Sequence, residues 1–417
     1  TLIKIIYQIN IMINKYLKNS FNFINYFTLA CIVPIGYFAP LGEWLLLSLI
    51  SIATLINTVI NKTKINLNNQ FIFIFSILVV CISYFWSIYP ERTYEVMGPI
   101  SGIIIAIFIS LNITTKNKIY NLENIIGIPL LLISICIFLD MVFNTEIRSS
   151  LALLVGDEPT SRSANFGRGI IILMMLMPFS VALYLNSKNI ILALSVLTLV
   201  SIIVMIGPNH SAKIALLVAL ISALIIYFLG PRSFLYFGLV SAIFILFLPI
   251  LSIGNIEKNN YYGIPWQETA LGGSIIHRLL VWEFVGNEIS NKPLRGHGAG
   301  TSRLIGQNII LNVPNTKQEI KGGIPLHPHN NFLEIWLELG FLGIIFITLL
   351  WAKIIQYGIK IRKESYVIGT GICSSIVTIF TISNVSFGVF QAWWMSSIAL
   401  IFLVILQSTN KNNKINA

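Results

Sequence analysis

Charge is the scarcest property of this sequence. Asp, Glu, Lys and Arg make up 10% of the 417 residues, where a soluble domain carries about a quarter. With 56% of residues apolar, that shortage excludes a soluble globular protein. Acidic residues number 16 against 27 Lys and Arg, a net charge of +11. The basic residues stand between apolar runs, where they read as membrane topology, so a nucleic-acid partner is excluded. Cysteine is also sparse. Cys31, Cys81, Cys136 and Cys373 all fall inside apolar stretches with no C-x-x-C spacing, which excludes a disulfide framework and a zinc knuckle and makes them expected buried packing residues. No internal repeat is evident.

What the chain has in abundance is long apolar runs. A membrane span needs about 20 mainly apolar residues, and twelve such runs can be placed. Their cores are Phe23 to Phe38, Leu41 to Ile60, Phe71 to Tyr89, Val96 to Asn112, Ile125 to Phe143, Gly169 to Leu185, Ile190 to Ile206, Ala212 to Leu229, Ser233 to Ser252, Phe332 to Ile355, Val367 to Ile382 and Phe390 to Leu406. The first follows Lys4, Lys15 and Lys18 without a small-residue cleavage site, so a retained helix is expected. Placing the N-terminus inside puts most short-loop lysines, among them Lys62, Lys118 and Lys363, on the cytoplasmic side. Both termini are then expected to be cytoplasmic. The reading is an all-α polytopic membrane protein in three segments: 1–252 with spans one to nine, 253–330 as a long outer loop, and 331–417 with spans ten to twelve and a tail.

Chemistry is expected on the outer segments, since function concentrates on loops held by a rigid scaffold. The sharpest feature is Pro325-Leu326-His327-Pro328-His329-Asn330-Asn331 leading into an apolar run. Pro328 disfavours helix at His327, and Asn331 with Glu334 three residues on is expected to cap a new helix. His329 then lies just outside a helix N-terminus, whose dipole favours the neutral imidazole. Such a histidine either accepts a proton or merely hydrogen-bonds loop backbone. Glu334 and Glu338 share a helical face, but no His-Glu-x-x-His pattern exists and a metal site is not expected.

His329-Asn330, nine residues, Gly340, two residues and Gly343 resemble the signature of bacterial O-antigen ligases. The twelve spans, the long outer loop before the signature and Trp86-Ser87-Ile88-Tyr89-Pro90-Glu91 are similar to the same superfamily. The resemblance implies an inner-membrane enzyme like C-type glycosyltransferases. It would move a glycan from undecaprenyl diphosphate to a sugar hydroxyl of the lipid A core, on the periplasmic face, with inversion, without metal or cofactor. Polysaccharide polymerase and protein O-oligosaccharyltransferase share that resemblance, and a transporter of lipid-linked sugars is the non-enzyme alternative.

That chemistry needs a base for the acceptor hydroxyl and cations for a departing lipid diphosphate. His329 is the expected base. Ser274 to Ser290 can form an amphipathic helix with Ile275, Leu279 and Trp282 on one stripe, and Arg278-x-x-x-Trp282 resembles the family's periplasmic Arg-x-x-x-Trp. Arg278 is the expected catalytic cation and Trp282 a glycan contact. Arg295 in Pro293-Leu294-Arg295-Gly296-His297-Gly298-Ala299-Gly300, Asn330 and Arg162 are further candidates for the substrate, although the glycines read as a tight turn. Where the family has Ser-Arg before span eight, this chain has Ser211-Ala212-Lys213, so Lys213 is the candidate second cation. Gly340 and Gly343 are expected to permit close helix contact, and Trp393 and Trp394 to anchor the last span at the interface. The topology is directly testable. A cysteine at Thr316 should react with an impermeant maleimide in intact spheroplasts, and labelling only after lysis would overturn the orientation.

Overall fold

The computed structural model of the protein describes residues 2–60, 70–111, 121–154, 166–254, 270–312 and 319–409. The chain is an all-α polytopic membrane protein. Among the described residues nine helices are long and apolar enough to cross a membrane, and three shorter apolar helices, Gln70–Trp86, Ile190–Ile206 and Ala392–Ser408, complete the twelve runs read from the sequence. Helix is what a bilayer demands, because it satisfies every backbone donor and acceptor within the segment. Pro34, Pro99, Pro129, Pro178 and Pro249 lie inside these helices, a tolerance common in spans where neighbours re-satisfy the freed carbonyl.

In chain order the helices are α1 (Leu2–Phe38), α2 (Glu43–Ile60), α3 (Gln70–Ile82), α4 (Pro90–Leu111), α5 (Leu122–Val142), α6 (Glu146–Leu154), α7 (Phe166–Asn186) and α8 (Ile190–Ile206). They continue with α9 (His210–Leu229), α10 (Pro231–Ser252), α11 (Ala270–Asn291), α12 (Ser302–Ile305), α13 (Asn331–Glu364), α14 (Tyr366–Val385) and α15 (Ala392–Ser408). An antiparallel ribbon of β1 (Ile310–Asn312) and β2 (Glu319–Lys321) pairs Leu311 with Ile320. The chain forms two compact units: Thr1–Gln70, Ile105–Asn209 and Met395–Ala417 in one, Phe71–Ile104 and His210–Trp394 in the other.

The first unit is built on α7, whose side chains from Ile170 to Met177 are buried to 0–1% exposure, packed against α1, α5 and α8. Asp140 ties its one short helix down. It accepts from Tyr37 Oη (2.5 Å) and from the Ile147 amide (2.7 Å), and the Arg148 guanidinium stacks 5.5 Å over the Tyr37 ring.

In the second unit α9 packs on α14, α13 on α10 and α14, and α11 on α10 and α13. Its organising feature is a break in α13. Gly340 has φ +61° and ψ −156°, a conformation essentially confined to glycine, so Phe341 and Leu342 lose their helical acceptors and Leu337 and Glu338 lose their donors. The turn 293–298 satisfies all four. Pro293 O accepts from Phe341 N (2.9 Å) and Leu294 O from Leu342 N (3.3 Å); His297 N donates to Leu337 O (2.9 Å) and Gly298 N to Glu338 O (2.8 Å). Gly296, Gly298 and Gly300 hold φ of +67°, +107° and +75°. The glycines are therefore a structural turn, as the sequence suggested, and Gly340 is a backbone break where close helix packing was expected.

The Trp86-Ser87 segment seats the other side of this turn. Trp86 Nε1 donates to Arg295 O (2.7 Å), Ile88 N to His297 O (3.0 Å) and Thr93 Oγ1 to Ala299 O (2.9 Å). Ala299 N donates to Ser83 Oγ (3.1 Å). Three motifs far apart in sequence thus form one interlock.

Four expectations change. The cap of α13 is Asn330, whose Oδ1 accepts from Phe332 N (3.0 Å) and Leu333 N (3.1 Å), one residue before the expected Asn331. Trp393 and Trp394 are 3% and 0% exposed, core residues and not interfacial anchors. With the Asn331 amide oriented to suit its neighbours, its oxygen accepts from Trp394 Nε1 (2.7 Å), which explains the burial. The buried stripe of α11 is Ile276, Val281, Val285 and Ile289; Ile275 is exposed, because the face with Arg278 and Trp282 is turned to polar partners. Of the four cysteines only Cys373 is buried, the other three being half-buried.

Gly340→Ala should lose at least the backbone strain of about 1–3 kcal/mol, since its Cβ would lie 2.6 Å from the Arg295 and Gly296 amide nitrogens. Gly98→Ala, in α4 with nothing within 4 Å, is the control. Thermal unfolding in detergent should show a clear drop for Gly340→Ala alone; equal stability of the two variants would remove the interlock from the account.

Candidate active site

The turn between β2 and α13 carries the histidines, and its shape is over-determined. Asn330 starts the helix, and its Nδ2 donates to Asn384 O (3.1 Å) on α14. Trp282 Nε1 from α11 donates to Pro328 O (2.8 Å). The His329 amide donates to His327 Nδ1 (3.1 Å). These contacts hold His329 at φ +56°, left-handed backbone that non-glycine residues seldom adopt and that concentrates at functional sites.

The three histidines face one another. The His327 and His329 ring centroids lie 4.3 Å apart, and those of His277 and His329 6.0 Å apart. Burial comes first in holding His329 far below the ordinary histidine range, at about 3; His327, Arg278 and His277 add like-charge repulsion, and a hydrogen bond to the Ser386 backbone opposes them. Burial and Arg278 likewise bring His327 to about 4 and lower His277. All three are neutral near pH 7. The sequence reading of a neutral His329 thus agrees with the geometry, with burial and neighbouring cations as the causes. Because His327 Nδ1 accepts from an amide, the neutral His327 ring carries its proton on Nε2.

Arg278 is half-buried and pre-aligned. Its Nε donates to Val385 O (3.0 Å), and its Nη1 donates to Ser274 O (2.9 Å) and to Ser274 Oγ. Nη2 has no partner among the described residues and is available to an anion. Desolvation lowers its pKa from an arginine's ordinary value, yet the group remains cationic at neutral pH. Val385 O also accepts from Ser211 Oγ (3.1 Å), so the end of α14 joins Arg278 to the start of α9, where Lys213 lies half-buried two residues on.

The remaining candidates fall differently. Arg295 is exposed, and its backbone serves the interlock. Asn330 is 1% exposed with both ends of its amide bonded to protein, so it positions His329 and does not face a ligand. Trp282 gives its indole N–H to Pro328, leaving the ring face as its contact surface. Arg162, with Asp157, Glu158, Asn165 and Thr316, lies outside the described residues. Among the described residues no three His, Cys, Asp or Glu side chains converge as metal ligands.

Sequence reasoning did not find the supporting residues Ser83, Thr93, Asn384 and Val385. They act through backbone groups or single hydroxyls and follow no residue pattern. Glu338 was visible only as a face-mate of Glu334. Its Oε2 accepts from Gly300 N (2.5 Å) and its Oε1 from Ser302 N (3.0 Å), which ties α13 to the glycine turn.

Residues 174–348 match the family model described as O-antigen ligase. A relative in Rickettsia conorii is 29% identical over 237 residues, covering 52% of this chain and 56% of that protein. One in Rickettsia felis is 29% identical over 235 residues (52% and 57%), and one in Rickettsia bellii 28% over 250 residues (58% and 59%). The names of all three contain the words polysaccharide ligase. The matches span a little over half the length of these curated relatives. The matched region holds α9, α11, the glycine turn, the histidine turn and the Gly340 break, and over that region the chain is similar to the O-antigen ligase family.

Proposed function

We propose that this protein transfers a glycan from undecaprenyl diphosphate to a sugar hydroxyl of the lipid A core, at the periplasmic surface of the inner membrane. The segment 253–330 lies outside in this reading and both termini inside. The observation that carries it is a neutral, conformationally fixed histidine beside a pre-aligned arginine with one donor group unspent.

In the reaction the acceptor oxygen attacks the anomeric carbon while the bond from that carbon to the diphosphate oxygen breaks. His329 takes the hydroxyl proton. The electron pair of the broken bond leaves with the diphosphate, whose charge Arg278 receives, with Lys213, Arg295 and Arg162 as further phosphate or glycan contacts. Trp282 offers its ring face to a sugar. A single displacement inverts the anomeric centre. No metal ion is required, because protein cations meet the leaving group.

Purified protein, lipid-linked donor and lipid A core acceptor in the presence of EDTA test this reading. Wild type should transfer glycan. Arg278→Lys keeps the charge but loses the fork, at a cost of about 1.5–3 kcal/mol in donor use. His329→Ala should bind donor normally and lose most transfer. Because the base must be unprotonated and its pKa is about 3 in the free protein, wild-type kcat/KM should lack a histidine limb between about pH 5 and 8. Full transfer by folded His329→Ala would remove the histidine from the chemistry, and loss of transfer to EDTA restored by one divalent ion would replace it with a metal mechanism.

A further inference from the structure

A cleft of about 430 Å³ opens beside the histidine turn, within the second unit, and the roles above leave it unused. Its walls include Arg92, Arg303, His327, Glu334, Glu338 and Phe390. A smaller hollow of about 380 Å³ shares Arg92 and Arg303. The polar groups are graded by depth. At the mouth Arg92 and Arg303 are exposed; Arg92 pairs with Glu95 (2.9 Å), and Arg303 has no ionic partner among the described residues. Deep in the cleft Glu334 is 5% exposed and His327 6%.

Glu334 is the informative residue. Its Oε2 accepts from Val389 N (2.5 Å), while its Oε1 has no hydrogen-bond partner among the described residues although the side chain lines the cleft. A buried carboxyl oxygen in that position calls for a hydrogen-bond partner from a ligand. Nearby, His327 supplies the reverse polarity, since its ring keeps the proton on Nε2. Phe390 and Leu326 add apolar wall. An unpartnered carboxyl oxygen, an imidazole N–H and an apolar face suit the hydroxyls and C–H face of a sugar; free arginine at the mouth suits an acidic substituent on it. The cleft also reaches the reacting centre, because the His327 ring abuts His329.

We propose that this cleft is the acceptor subsite, where a saccharide bearing phosphate or carboxylate groups is held with its hydroxyls on Glu334 and His327 and its acidic groups on Arg92 and Arg303. The assignment rests on the glycan transfer proposed above. It gives the site two sides: the donor diphosphate at Arg278, the acceptor entering past Arg303, and His329 between them.

The test uses the full chain in lipid nanodiscs and two probes, lipopolysaccharide lacking O-chain and the same material dephosphorylated. Acceptor affinity is measured without donor, and KM is measured for each substrate. Arg303→Ala is an exposed change, and Glu334→Gln keeps an oxygen for Val389 N, so both should fold. Each should raise the acceptor Kd about tenfold and leave donor KM within about twofold. The Arg303 effect should vanish with the dephosphorylated probe while the Glu334 effect persists. Unchanged acceptor affinity in both variants, or a rise in donor KM instead, overturns the subsite. Transfer by wild type with indifferent variants would leave the proposed function standing and remove the cleft. The expected binding pattern without any wild-type transfer would do the opposite.

Discussion

The arrangement depends on one broken turn of helix. Four backbone groups of α13 lose their partners at Gly340, and inside a membrane protein such groups are too costly to leave unmet. The turn 293–298 meets them, and it in turn is clasped by the Trp86-Ser87 segment and by Glu338. A helix that ran straight would have no place for that turn. The same interlock fixes the first three turns of α13, at whose start Asn330 aims the histidines.

The electrostatics follow from the burial this produces. Three imidazoles and a guanidinium close together cannot all be charged out of water, and the arginine, with the far higher intrinsic pKa, keeps its charge while the histidines surrender theirs. Neutral histidine beside permanent cation is the pairing that a displacement with an anionic leaving group needs. The like-charge repulsion that lowers the histidines also favours an anion at this place, and the diphosphate of the proposed reaction would relieve it.

Much of this was legible in the sequence. All twelve apolar runs became helices, because a run of some twenty apolar residues has few other structures open to it in a bilayer. The histidine signature, Arg278 with Trp282 and the glycine turn were found by spacing, and the structure brings them into one unit. What could not be read was the use of each side chain. Asn330 and Asn331 are adjacent amides, and only three-dimensional neighbours decide that the first caps the helix and the second holds Trp394. Trp393 and Trp394 look interfacial by position in the chain, yet both are buried, with Gln391 Oε1 accepting from the indole of Trp393 and Asn331 on α13 from that of Trp394. Gly340 and Gly343 look alike as small residues in a span; the backbone dihedral that separates them has no sequence signal beyond the glycine itself.

The ionisation of His329 itself is the sharpest experimental handle on the site. The interlocked turn buries this histidine beside Arg278 in neutral form. Selective isotope labelling of histidine, with single His→Gln variants for assignment, allows its ring to be titrated by NMR in detergent. His329 should stay neutral down to about pH 4, with its midpoint at about 3. A midpoint at the ordinary histidine value of about 6.5 would contradict it.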